Sequence, residues 1–349
     1  AATSGTADSV SVSLNAAGST AAGDSDLTIG TGFETINVST TGAASTVNDI
    51  VTSSATTMNI TGDQTLTVRA ALDASLDVID ASAFTGQLSI VSANDTTTPD
   101  ATVSNVDVAD LTVTGGSGND TLNLSANAAD NEIAVTAGAG DDTVTVGQIL
   151  SNSSSTSAGD VVSGGAGDDT LAGDVDLFDA GTAGFTGTTT LTGVSGFETL
   201  SLSGFDAEAN IVNVSNISSD LNTVAITSAT GGATTINFAA GSSTVEIGGA
   251  AAILDNDTLT VDAAGSATDD ALTISNINAA TGTAQIGAND SNITTTDYET
   301  VTINTGSYNT ATAQLVNAVN IGAANALVLT GSNGLTTTAS TGIITAATI

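Results

Sequence analysis

Gly115-Gly116-Ser117-Gly118-Asn119-Asp120, Ala137-Gly138-Ala139-Gly140-Asp141-Asp142 and Gly164-Gly165-Ala166-Gly167-Asp168-Asp169 are three glycine-rich turns that end in acid. Each leads straight into a short β-type run: Thr121-Leu-Asn-Leu124, Thr143-Val-Thr-Val146 and Thr170-Leu-Ala172. Glycine lets the backbone turn tightly and aim several carbonyls at one place. The closing Asp adds a hard anionic oxygen, and calcium takes six to eight oxygens of this kind. One such turn could arise by chance in a chain with 38 glycines. Three with the same order of turn and strand form a pattern. The competing reading is an Asx-rich β-turn that holds no metal.

The three fit the calcium-binding nonapeptide G-G-x-G-x-D-x-U-x, in which U is a large apolar residue. The candidate metal residues are therefore Gly116, Gly118, Asn119 and Asp120, then Gly138, Gly140, Asp141 and Asp142, then Gly165, Gly167, Asp168 and Asp169. Asp130, in the degenerate turn Ala126–Asn131, and Asp160, in Ala158-Gly159-Asp160-Val161-Val162, join them. Ala137 follows Gly115 by 22 residues and the degenerate turn lies midway, so turns recur every 11 residues. Between them stand the pairs Leu122/Leu124, Ile133/Val135 and Val144/Val146. This spacing predicts a parallel β-roll in which like turns stack one full coil apart. The third motif comes after 27 residues, with Ser151–Ser157 read as an insertion on one face.

Composition narrows the chemistry. The 349 residues include no His, Cys, Trp or Lys, and a single Arg, Arg69. There is no histidine or lysine base, no thiolate, no cationic oxyanion clamp and no zinc set, so an enzyme is not expected. Carboxylate pairs can hydrolyse glycosides, but seven Phe and two Tyr offer few platforms for sugar rings. A formal charge of −36 argues against nucleic acid and anionic lipid as partners, because both require Lys and Arg. No apolar run approaches a membrane span. The start Ala1-Ala2-Thr3 lacks a signal peptide, so the chain is expected to be mature, excised or exported without one. Zero Cys fits an extracellular protein held by metal instead of disulfides.

Of 37 acidic residues only six are Glu, leaving 31 Asp. Generic surface acidity would use both; excess Asp points to turns and compact oxygen ligation. So much uncompensated charge destabilises a compact fold by self-repulsion. Bound divalent cations relieve it.

Period-two alternation runs through the chain, as in Val10-Ser-Val-Ser-Leu14, Leu200-Ser-Leu202, Val301-Thr-Ile303 and Leu327-Val-Leu329. With β-branched residues this reads as strand. Few aromatics and many small residues suit a narrow, regularly stacked core, and only Pro99 interrupts the ladders. A second repeat, Gly32-Phe33-Glu34-Thr35-Ile36, returns as Gly196-Phe197-Glu198-Thr199-Leu200 and as Asp297-Tyr298-Glu299-Thr300-Val301. Its aromatic is expected to plug the core at a coil edge. Its Glu is read as solvated, with metal ligation as the alternative. Asp255-Asn256-Asp257, Asp269-Asp270 and Asn289-Asp290 lack a glycine framework and read as ordinary turns.

The element Asp80-Ala81-Ser82-Ala83-Phe84-Thr85-Gly86, the following Val91-Ser92-Ala93-Asn94 and the calcium turns together resemble the repeats-in-toxin type of bacterial surface-layer protein, over about residues 75–205. The Gly-Phe-Glu-Thr element is also similar to one in that group. Members form right-handed β-solenoids and assemble into calcium-dependent lattices outside the cell after type I export. The resemblance thus implies Asp120, Asp142 and Asp169 as carboxylate ligands, with the turn glycines supplying carbonyls. The chain departs from the family in its small, polar Thr336–Ile349, where a secretion segment is expected; a processed product or fragment is the reading.

The expected fold is all-β, a right-handed parallel β-solenoid with a calcium β-roll. It is organised as a solenoid segment 1–110, a calcium roll 111–180, and a solenoid or sandwich segment 181–349. The expected function is extracellular and structural: calcium-dependent self-assembly at the cell surface into a layer or filament. The partner is the chain itself as a homopolymer, with cell-surface polysaccharide as a further one. The rivals are a monomeric adhesin or ice-binding module, and an accessory repeat domain of a secreted hydrolase or toxin.

Overall fold

A computed structural model describes the chain except residues 1–4, 6, 19–24, 93–109, 127–131, 155–158, 182–189, 206, 249–256, 266–267, 278–290, 307–313, 317, 322–325, 332–334, 338–343 and 346–349. Asp130, Pro99, Asp255-Asn256 and Asn289-Asp290 lie outside the described residues. The regular structure described is almost entirely β-strand, paired in parallel; the helical elements are one turn each, Val175–Leu177 and Val214–Ile217. None of the described helices is long and apolar enough to cross a membrane.

Two compact units divide the chain, Ala1–Ala172 with Leu191–Phe197 and Gly173–Thr190 with Glu198–Ile349. Both are parallel β-solenoids. The first has an eight-stranded sheet in the order Ser9–Leu14, Thr35–Thr40, Thr57–Gly62, Val78–Asp80, Leu111–Thr114, Ile133–Ala139, Val161–Ala166 and Val194–Ser195. Each strand pairs with its like one coil later because the chain returns through a facing strand, as Thr121–Leu124 does between Leu111–Thr114 and Ile133–Ala139. The 22-residue coil inferred from the turns is the observed register: Leu111 pairs with Ile133, and Thr121 with Thr143.

Alternation sets the core. In Thr143–Val146 the two valines are buried and the threonines only half-buried. Stacking turns that alternation into continuous apolar files. One file runs Val10, Ile36, Met58, Ile79, Val113, Val135, Val162, Val194 through eight coils. Ile90, Leu122, Val144 and Leu171 form another on the facing side. Each buried Val, Leu or Ile contributes about 1.5–3 kcal/mol. The second unit repeats the device with Leu200, Val224, Val245, Ile274 and Ile303. Its Phe197-like aromatic, Tyr298, is buried, as is Phe197 in the first unit, whereas Phe33 is only half-buried.

The glycine turns continue the coil before them. Leu111–Thr114 pairs with Val78–Asp80, and Phe84 accepts the Ser117 N–H at 3.0 Å.

Candidate metal centre

The three turns stack on one corner of the first unit. Gly138 and Gly165 are direct ladder partners, as are Ala139 and Ala166. Ala139 donates its N–H to the Gly116 carbonyl at 3.0 Å, and Gly140 donates to Ala166 at 2.9 Å. The coils approach so closely that side chains do not fit. A Cβ on Gly138 would stand 2.1 Å from the Gly116 carbonyl oxygen, and Gly138 has φ +122°. Such a conformation is costly for any L side chain. The same stacking extends one coil below the first motif, where Gly118 lies over the Gly86 carbonyl.

The last two positions of each turn face opposite ways. Asn119, Asp141 and Asp168 are exposed and form an outer file. Asn119 Oδ1 accepts the Asp141 N–H at 3.0 Å, and Asp141 Oδ1 accepts the Asp168 N–H at 3.1 Å. Asp120, Asp142 and Asp169 point inward and are each only 1% exposed. Their carboxylates cap the coil beneath. Asp120 Oδ1 accepts from Leu88 N at 2.8 Å, Asp142 Oδ1 from Asp120 N at 2.7 Å, and Asp169 Oδ1 from Asp142 N at 2.8 Å.

The second oxygens distinguish the first two. Asp120 Oδ2 accepts the N–H of Gly116 at 2.8 Å within its own turn. Asp142 Oδ2 is buried and accepts no hydrogen bond from the described residues. Burial pushes the Asp142 carboxyl up to about 6 despite the Asp120 N–H, and the charges of Asp120, Asp169 and Asp141 add to the rise. Burial also raises Asp120, against the bonds from Gly116 and Leu88. A buried anionic oxygen without a partner is costly, and a hard cation is the ligand whose chemistry answers it. The donor chemistry is of the kind calcium takes: Asp142 keeps one buried carboxylate oxygen open beside the glycine turns. Among the described residues no three Asp, Glu, His or Cys side chains converge on one point. Backbone carbonyls must then complete any coordination, as the glycine framework allows.

Asp160 is not brought to this corner. It opens the strand Val161–Ala166 in the eight-stranded sheet, 5% exposed, with both oxygens engaged. Oδ1 accepts from Ile133 N and Gln148 Nε2, each at 3.1 Å, and Oδ2 from Ser151 N at 2.7 Å. It pins the Ser151 insertion to the solenoid. The strand-opening Glu of the second repeat does similar work: Glu34 Oε2 accepts from Asp8 N at 2.7 Å, and Glu299 Oε2 from Asp270 N at 2.8 Å.

The inward capping role of the sixth motif position was not legible from the motif, which specifies an Asp but not what its second oxygen meets. The Gly86 layer was signalled only by the nearby Asp80–Gly86 element. No protein-family model and no curated protein matches the chain.

Proposed function

We propose that this chain is a calcium-stabilised structural β-solenoid that works outside the cell and self-assembles into a surface layer or filament. The observation that carries the calcium reading is the file Asp120–Asp142–Asp169, buried beside glycine-rich turns with Asp142 Oδ2 left open. Charge carries the step from fold to assembly. Two surfaces from a chain of net charge −36 repel one another, and monovalent salt only screens that repulsion. A divalent ion bridges carboxylates across an interface, and the exposed Asp141 and Asp168 offer them. Edge strands of a parallel sheet add further strands head to tail, and such a contact propagates instead of closing. The resemblance to repeats-in-toxin surface-layer proteins supports the extracellular setting. The test is to add millimolar calcium to chelated protein and follow light scattering and negative-stain microscopy. Monomers in chelator and ordered polymers in calcium are expected. Folded, calcium-loaded protein that stays monomeric at high concentration overturns the reading.

One observation favours a second reading, a surface-binding or ice-binding module. Coils of unequal length bring Thr199, Thr223, Thr244, Thr273 and Thr302 into one file on the outer face of the second unit. The file has no adjoining second row: Ser201, Ala225, Glu246, Ser275 and Asn304 stand beside it. Thermal hysteresis in the monomer would move the reading to this alternative.

A further inference from the structure

We infer that the second unit holds its own site for a hard divalent cation of the calcium class, at Asp270 beside Tyr298. This inference stands independently of the glycine turns.

Asp270 immediately precedes the strand Ala271–Asn276, as Asp142 precedes Thr143–Val146. It behaves in the same way without a glycine motif. It is 1% exposed; its Oδ1 accepts the N–H of Gly241 one coil back, and its Oδ2 is buried with no hydrogen-bond partner among the described residues. Its backbone is held on the other side: its N–H goes to Glu299 Oε2 at 2.8 Å, and its carbonyl accepts from Glu299 N at 3.0 Å. The carboxylate is therefore fixed in place with one oxygen open.

A second observation points to the same spot. Tyr298 is 2% exposed, and its hydroxyl likewise forms no hydrogen bond of ordinary geometry. Glu299, the residue that follows Tyr298, is bonded through its backbone and its side chain to the Asp270 backbone, which brings the two residues to the same corner of the coil. The phenol offers an oxygen lone pair there. Asp262 and Glu299 add negative charge around Asp270, their carboxylates bonded to Thr296 and to the Asp270 N–H and not converging with it on one point.

The whole chain has one cationic side chain, Arg69, against 37 acidic ones, so most of the counter-charge must come from solution. The donors are all oxygen, with no His or Cys anywhere in the sequence, which selects calcium-like cations over zinc or copper. The sequence reads Asp269-Asp270 as an ordinary turn because the pattern around it lacks glycines; the orphan oxygen appears only in the fold.

The position of Tyr298 supplies a specific readout. The chain has two tyrosines, Tyr298 and Tyr308, and no Trp, and Tyr308 lies outside the described residues. Terbium(III) bound at Asp270 is sensitised by exciting Tyr298. Full-length protein titrated with terbium is expected to give tyrosine-sensitised emission that excess calcium displaces. Asp270→Asn keeps the Gly241 bond but loses the anionic ligand, so the terbium concentration needed should rise about tenfold or more. Tyr298→Phe should lower the emission sharply with its circular dichroism unchanged. Asp142→Asn should leave the emission intact, which separates this site from the turns. Absence of calcium-displaceable emission from folded protein, a wild-type titration for Asp270→Asn, or undiminished emission in Tyr298→Phe each overturns the inference.

Discussion

Asp142 carries the sharpest consequences at the scale of single residues. Asp142→Asn keeps an oxygen to accept the Asp120 N–H and removes a charge that burial disfavours. In chelator the variant should therefore melt at or above wild type. In calcium it should lose much of the stabilisation that the ion gives, and Asp63→Asn, at an exposed position, should stay within about 0.5 kcal/mol in both conditions. Thermal melts of the three proteins check this. A pH series makes a second prediction. The folded Asp142 carboxyl sits at about 6, above its unfolded value near 3.9. The folded state thus binds more protons between those values, and stability falls as pH rises through 6. Asp120 and Asp160, also raised by burial, act in the same sense, while Asp80, lowered by the bonds from Ser82, acts in the opposite one. Metal-free protein should gain stability on acidification from pH 7 to pH 5, whereas most proteins are indifferent or weaken. With calcium bound the slope should flatten or reverse, because protons then compete with the ion. Melts that weaken steadily from pH 7 in chelator would count against a buried, unpaired Asp142.

Turns and strands behave as units at the next scale. Gly138→Ala forces a Cβ against the Gly116 carbonyl at φ +122°, while Gly30 has nothing within 4 Å of its would-be Cβ. The first substitution should cost about 2 kcal/mol or more in urea unfolding and the second within about 0.5 kcal/mol. Equal costs would mean that the turns are looser than they stand here. The glycine turns and the 22-residue coil were legible because alternation and turn chemistry are both local: Thr121-Leu-Asn-Leu124 announces its buried face without help from the rest of the chain. The inward Asp file was half legible, since the motif names the residue but only stacking decides that Leu88, Asp120 and Asp142 donate to it. The threonine file and Asp270 were hidden. Successive coils there differ in length, with Thr199 pairing to Thr223 but Ala271 to Thr300, so no fixed period brings their members together in sequence. The place of Asp160 was hidden for a related reason. A Gly-Asp pair before a β-type run looks alike in sequence at either corner of the coil, and only the register with Ile133 assigns it to the opposite one.

For the whole molecule, one positive side chain against 37 acids leaves the fold to draw its counter-charge from solution. Magnesium should serve poorly, since irregular, carbonyl-bearing turns do not offer its strict octahedron. Each site filled at one hundred times its dissociation constant adds about 2.7 kcal/mol. In a chain this size that is a shift of roughly 4 °C per site. The decisive measurement is a far-UV circular dichroism melt of the wild-type protein in calcium, in magnesium and in excess EDTA. The account predicts a melting temperature at least about 4 °C higher in calcium than in EDTA, with magnesium close to the EDTA curve. An unchanged β spectrum and the same melting temperature in all three would contradict it.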